Sequence, residues 1–157
     1  MDRYYNLIKI IFHICNMNIR KLELDDYYKG YLKLLEQLTR VGELSFEQFK
    51  DKFNKLNSHI YVIEIDNKIV ASATIFIEYK FIHNSQNVGH IEDVVTDNNY
   101  RKHGLGKILI NKLLQIAKEN TCYKVILNCS KDISGYYKKL NFKYSGECYS
   151  TYFDSLL

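Results

Sequence analysis

The 157-residue chain has no proline and no tryptophan, and only seven glycines, four cysteines and two methionines. Without proline it holds no polyproline recognition segment and no stiff Pro-rich spacer. Its four cysteines (15, 122, 129 and 148) include no CxxC pair, which excludes a disulfide scaffold; reduced, mostly buried thiols in a cytoplasmic protein are expected. The histidines at 13, 59, 83, 90 and 103 form no HExxH or Cys/His cluster, so no metal site is expected. The apolar run from Leu7 to Cys15 is interrupted by Lys9 and His13. It is too short to span a bilayer and is followed by no small-residue cleavage site, so no membrane association is expected. The net charge of +4 is too mild and too evenly spread for nucleic acid to be the main partner, but it suits a small anionic ligand.

What is present is an ordinary globular composition, 46% hydrophobic and 25% charged, in a chain long enough to bury a core without staples. Residues 1–17 read as an N-terminal extension and 18–157 as one domain. Asn18 to Leu24 alternates as a first strand, and Asp25-Asp26 opens a helix carrying apolar residues at helical spacing through Leu38. Thr39 and Arg40 read by themselves as polar residues at a helix end. Ser45-x-x-Gln48 is a capping box for a second helix through Leu56. Ile60 to Ile65 and Lys68 to Tyr79 form a hairpin about Asp66-Asn67, and Val88 to Thr96 is the next strand. An amphipathic helix covers Gly104 to Asn120, Tyr123 to Cys129 is a buried strand, and a short helix covers Asp132 to Leu140. Asn141 stands where a left-handed cap is needed, and Phe142 to Phe153 reads as a last strand. This order predicts a mixed α/β (α+β) domain: a mostly antiparallel sheet flanked by helices, with one right-handed parallel crossover.

Three groups of residues carry chemistry. A strand feeds the basic loop Arg101-Lys102-His103-Gly104-Leu105-Gly106-Lys107, which opens a strong helix, an arrangement suited to pyrophosphate. The GxxxxGK[ST] spacing is absent, which disfavours nucleotide hydrolysis. Glu92 and Asp93 interrupt the apolar run before that loop. Neighbours on a strand point to opposite faces, so both face one ligand only if the strand is bulged. Tyr136-Tyr137 sits on the short helix; one tyrosine packs, and a phenol beside a leaving thiolate can act as a general acid.

The strand, RxxGxG loop, helix, strand and YYKKLNF segment together resemble the GNAT superfamily of acetyl-CoA-dependent N-acetyltransferases over residues 18 to 153. The strings GHIEDVV, CYKVILNC, GYYKKLNF and LTRVGELSFEQF resemble, more narrowly, the glucosamine-6-phosphate N-acetyltransferase family. The resemblance implies that acetyl-CoA lies between the strands ending at Thr96 and Cys129. Val94, Val95 and Thr96 would pair with its pantetheine arm, Arg101 to Lys107 would hold its pyrophosphate, and Asn128 and Tyr137 would complete the cofactor contacts. Tyr137 matches the tyrosine that serves the departing thiolate. Glu92, Asp93 and Lys124 match positions lining the sugar site, with Thr39, Lys80 and His83 at the sugar phosphate. The resemblance also implies a homodimer whose C-terminal strand helps complete the neighbouring site.

The chain departs from the family pattern in three places. Asn128 stands where an acid is usual, which moves any base role to Asp93, Glu92 or water. Ile133 replaces an asparagine that usually contacts CoA. The segment 149–154 has no base for the sugar phosphate, a loss of roughly 1.5–3 kcal/mol of charge-assisted binding that Lys80 or Arg40 would have to offset. The expected activity is acetyl transfer to glucosamine 6-phosphate in a ternary complex. The rivals are an acetyltransferase for another small or peptide amine, and a non-catalytic acyl-CoA-binding dimer module.

Overall fold

The structure, a computed structural model, describes residues 17–153. The apolar run at Leu7–Cys15 and Asp154 lie outside the described residues. The chain forms two compact units, divided between Leu127 and Asn128.

The first unit runs β1 (Asn18–Lys21), a 3-10 turn (Leu24–Tyr27), α1 (Tyr31–Leu35), α2 (Phe46–Phe53), β2 (His59–Ile65), β3 (Lys68–Glu78) and β4 (Asn87–Thr96). A second 3-10 turn (Asn98–Tyr100), α3 (Leu105–Glu119) and β5 (Cys122–Leu127) complete it. The five strands lie in sequence order in one sheet, antiparallel except for the β4–β5 pair, which is parallel. The expected architecture is therefore the one found. The Asp66-Asn67 turn has both residues at positive φ (50° and 60°), the backbone of a tight hairpin. Ser45 caps α2 reciprocally with Gln48.

The local expectations fail at three points. The helix expected from Tyr27 to Leu38 is broken: Gly30 takes φ +82°, so a 3-10 turn and the short α1 replace one helix. The last strand is absent, since no helix or strand is found over 142–153 and Tyr144, Tyr149, Tyr152 and Phe153 are exposed. A strand is stable only when a neighbour pairs its backbone and covers one face, and alternation in a sequence does not supply that neighbour. The described cysteines are not mostly buried. Cys122 is half-buried at the start of β5, a strand with no fully buried residue, and Cys129 and Cys148 are exposed because β5 ends at Leu127, before either.

The core lies on both faces of the sheet. α3 presents Leu105, Leu109, Ile110, Leu113, Ile116 and Ala117, all buried, across β2 to β5. Gly89 of β4 sits beneath it: a Cβ there would lie 3.1 Å from Ile75 Cδ1 and 3.2 Å from Val125 Cγ2. Gly89→Val is expected to destabilise by about 1–3 kcal/mol through overpacking, read by urea denaturation; an unchanged midpoint would mean that α3 can move away freely. On the opposite face Val62, Val95 and Leu22 pack with Tyr31, Leu34 and Phe49 of α1 and α2.

An ion network ties the edge of the sheet to the first turn. Arg20 of β1 donates two hydrogen bonds of 2.7 Å to Asp26, whose side chain is fully buried, and also pairs with Glu64 of β2. Lys29 adds a bond of 3.2 Å to Glu64.

The second unit contains a 3-10 turn (Lys131–Ile133) and α4 (Ser134–Lys139), which ends at Asn141 with φ +68°, the left-handed cap expected there. Tyr137 packs edge-to-face on both Tyr136 and Phe142.

Candidate active site

β4 is the element that makes a site. It pairs with β5 only as far as Ile91↔Leu127, yet runs five residues further to Thr96. Over Glu92–Thr96 its edge toward β5 is therefore free of that ladder. Its other edge stays tied to β3 through Ser72↔Val95 and Ala71↔Thr96. Unpaired N–H and C=O groups on a strand edge are a template for any extended chain of amides.

The same strand carries the bulge that the paired acids require. The register with β3 passes from Thr74↔Glu92 to Ser72↔Val95, so two residues of β4, Asp93 and Val94, oppose the single Ala73. Asp93 takes φ +50°, and both Glu92 and Asp93 are exposed. The negative charge of Asp93 is felt by Tyr31 of α1. Burial first, then Asp93 and Asp26, pushes that phenol up to about 12.

Beyond Thr96 the chain enters the basic loop. Arg101, Lys102, Gly104 and Lys107 are exposed, His103 and Gly106 are half-buried, and Leu105 is buried as the first anchor of α3. Gly104, the cap of α3, has φ +80° and nothing within 4 Å of an added Cβ, so an anion can approach the backbone there. Fifteen residues of helix behind the loop direct their positive end and first free N–H groups to the same place. Arg101 reaches back to the Thr96 carbonyl (3.3 Å), tying the loop to the open strand.

A second group lies on the face of the sheet that also carries Glu92. The register puts Glu78, Val88 and Lys124 in one row, Phe76, His90 and Ile126 in the next, and Thr74 and Glu92 in the third. Glu92 is four residues along β4 from Val88, about 13 Å. Glu78 pairs with Lys80 and, at 2.9 Å, with His90 Nε2. Lys80 first and then His90 hold the Glu78 carboxyl below the usual carboxylate range. The β3–β4 connection contains three successive residues in the left-handed region, His83, Asn84 and Ser85. The His83 ring lies 4.3 Å from the Tyr123 ring, over which Lys124 also sits at 5.5 Å.

The first unit thus brings together Glu92, Asp93, Val94 to Thr96 and the loop 101–107. It gathers Lys80, His83 and Lys124 about the β3–β4 connection and the start of β5. Thr39 is exposed on the turn after α1. Asn128 lies just past the end of β5 and, with Tyr137, belongs to the second unit. In that unit Tyr137 is buried; burial first, then neighbouring Tyr136 and Cys129, pushes its phenol above the usual range. Glu78 and His90, the partners beside Lys80, were not singled out from the sequence. No local signal pairs them, since Glu78 and His90 lie on different strands and meet only through the β3–β4 register. Among the described residues no group of three His, Cys, Asp or Glu side chains is placed to hold a metal ion, and no helix is long and apolar enough to cross a membrane.

A bulged strand with one edge half open, leading into a glycine-capped basic helix start, agrees with a family comparison. The acetyltransferase (GNAT) family profile matches residues 17–142. The chain belongs to the GNAT family. Among GNAT relatives, the glucosamine 6-phosphate N-acetyltransferase of Candida albicans is 42% identical over 133 residues, covering 81% of this chain and 89% of that protein. Glucosamine 6-phosphate N-acetyltransferase 1 of Dictyostelium discoideum is 38% identical over 143 residues, covering 87% and 90%. The crystal structure of glucosamine-6-phosphate N-acetyltransferase from Arabidopsis thaliana superposes with a TM-score of 0.85 at 39% identity, over 88% of this chain and 99% of that one. The narrower resemblance read from GHIEDVV, CYKVILNC and GYYKKLNF agrees with these relatives.

Proposed function

We propose that this GNAT protein transfers the acetyl group of acetyl-CoA to the amine of glucosamine 6-phosphate. The observation that carries the cofactor half is the open edge of β4 over Glu92–Thr96, continuous with the basic start of α3. An extended, amide-containing arm ending in a pyrophosphate matches both parts at once. Val94, Val95 and Thr96 pair with the pantetheine amides, and Arg101 to Lys107 receive the pyrophosphate, with Asn128 and Tyr137 completing the contacts. The acceptor half rests on the named relatives and on the residues themselves: Glu92 and Asp93 beside the amine, with Thr39 near one end of β4 and Lys80, His83 and Lys124 near the other for the sugar phosphate and hydroxyls, so that a given sugar takes only one of these two groups from a single chain.

In the reaction the free amine nitrogen attacks the thioester carbonyl, and the tetrahedral intermediate collapses with loss of the C–S bond. Asp93 or Glu92, directly or through water, takes the ammonium proton, and Tyr137 gives its proton to the departing thiolate. Of the two carboxylates only Asp93 lies in the bulge, so it is the first candidate for the base. A homodimer in the cytoplasm, with the exposed C-terminal segment of one chain reaching its neighbour, belongs to the same proposal.

The test is the release of CoA, followed with a thiol reagent, with and without glucosamine 6-phosphate. Stimulation by the sugar phosphate well above that by free glucosamine or a peptide amine is the expected result. Acetyl-CoA binding with turnover on other amines alone would identify a different acceptor, and binding without any turnover would identify an acyl-CoA-binding module.

A further inference from the structure

The chain leaves β4 at Asp97, which is 97% buried, and several bonds fix this point. Its N–H donates to the Val70 carbonyl (2.8 Å), and its carbonyl accepts from the Tyr100 N–H (2.8 Å). Its carboxylate accepts from Lys68 Nζ (2.7 Å) and from the Asn99 N–H (2.9 Å). Burial alone would raise this carboxyl; Lys68, the Asn99 N–H and the Gln37 side chain outweigh it and hold the pKa below the usual range. The root of the cofactor loop is thus anchored within the sheet. One further bond leaves it sideways: the Asn98 N–H donates to Gln37 Oε1 at 2.9 Å, across 61 residues of sequence. Gln37 lies on the turn that follows α1, two residues before Thr39, and that turn is held by its own Gln37 N–H to Leu34 and Thr39 N–H to Leu35 bonds. Gln37 is thus one of several partners of Asp97, which keeps its Lys68, Val70, Asn99 and Tyr100 bonds without it. The Gln37 bond to Asn98 is in addition an exposed link between two surface segments, one leading to the loop 101–107 and the other carrying Thr39.

We propose that Gln37 is a positioning residue that couples the acceptor-side turn to the cofactor loop, so that each substrate raises the enzyme's affinity for the other. This rests on the assignment above of Thr39 to the acceptor and of 101–107 to the pyrophosphate. The physical reason is ordering. A ligand that immobilises either segment fixes the Gln37–Asn98 link, and the second ligand then finds its own segment already in place. Such coupling is reciprocal and is typically about fivefold or more in affinity.

The experiment is calorimetric titration with CoA, which cannot turn over, in the absence and presence of saturating glucosamine 6-phosphate. The wild-type chain is expected to bind CoA at least about fivefold more tightly with the sugar phosphate present. Gln37→Leu removes the acceptor together with the Gln37 hydrogen bond to Asp97, which Asn98→Pro leaves in place. Asn98→Pro removes the donor from the other side, and it fits the backbone: Asn98 is the first residue of its 3-10 turn, where proline is favoured, and Asp97 before it is extended at φ −50°, ψ 133°. Both variants are expected to bring the affinity ratio close to one while each ligand still binds alone, and the double variant should add nothing. A merely structural role would lower the melting temperature and leave the ratio intact. A near-wild-type ratio in both variants overturns the inference, as does a wild-type ratio of one. If turnover with the sugar phosphate persists in that last case, the proposed function stands and only the coupling falls. Absence of both sugar-phosphate binding and turnover would remove the functional reading itself.

Discussion

Replacing Tyr137 with phenylalanine is expected to lower kcat about a hundredfold, at the low end of what a positioned general acid contributes, with little change in KM for either substrate. The small end of the range is appropriate because a thiolate is already a tolerable leaving group near neutral pH. The phenol is buried, and its pKa is displaced upward by burial and by the neighbouring Tyr136 and Cys129. For an acid the sign is simple: an upward shift keeps Tyr137 protonated, and able to donate, throughout the physiological range. Activity lost through ionisation of this group must therefore appear only on the alkaline side of the ordinary tyrosine value. The measurement is steady-state kinetics of the wild type and Tyr137→Phe across pH. Full kcat in the variant would assign the thiolate's proton to water, and a raised KM with unchanged kcat would make the residue a binding contact instead.

The second large effect concerns stability. Asp26→Ala is expected to cost about 3–5 kcal/mol, because it strips a buried, doubly hydrogen-bonded partner from a guanidinium that is itself largely covered. In a chain of this size that corresponds to a fall in melting temperature of roughly 6–20 °C. It would be read by thermal and urea denaturation of the full chain. A loss below about 1 kcal/mol would class the network with exposed surface pairs. Replacing Arg20 and Asp26 together with apolar residues is expected to recover much of the loss, since a covered guanidinium left with Glu64 but without its bidentate partner is what costs. Acid acts in the same direction through Glu64. Arg20, foremost, and Lys29 lower its folded pKa, so its contribution is complete above the ordinary glutamate range and is lost as pH falls through the lowered value.

Much of this was legible in the amino acids. Periodicity alone located α3 and β2 to β5, because a continuous apolar stripe or an unbroken β-branched run leaves few alternatives. Ser45-x-x-Gln48 and Asp66-Asn67 located a cap and a turn, since each satisfies or shapes backbone that lies beside it in sequence. What sequence could not supply was whatever depends on a partner distant in the chain. Helical spacing through Tyr27–Leu38 concealed the break at Gly30, because the pattern of buried faces survives a change of helix direction. Phe142 to Phe153 alternates well enough to be a strand, but a strand is a relationship between two segments. At the site, the glycine-containing loop was recognisable from its own residues. The Glu78–Lys80–His90 group and the Gln37–Asn98 link were not, because each joins positions whose proximity only the sheet register or the α1 turn creates.

The extra residue in β4 has one more effect. Glu92 and Val95 are three positions apart, an odd separation that in a regular strand would send them to opposite sides. Here Glu92 pairs with Thr74 and Val95 with Ser72, two residues apart on β3, so both look the same way. The strand therefore changes phase once along its length, and the change permits an exposed acid and a core valine to share a side. Deleting Asp93 would leave Val94 opposite Ala73 and Val95 still opposite Ser72, an uninterrupted ladder in which Val95 keeps its side. Regularising the strand with Asp93 still in it would instead act as a frameshift acts on a message, moving Val95 opposite Ala71 and out of the apolar cluster.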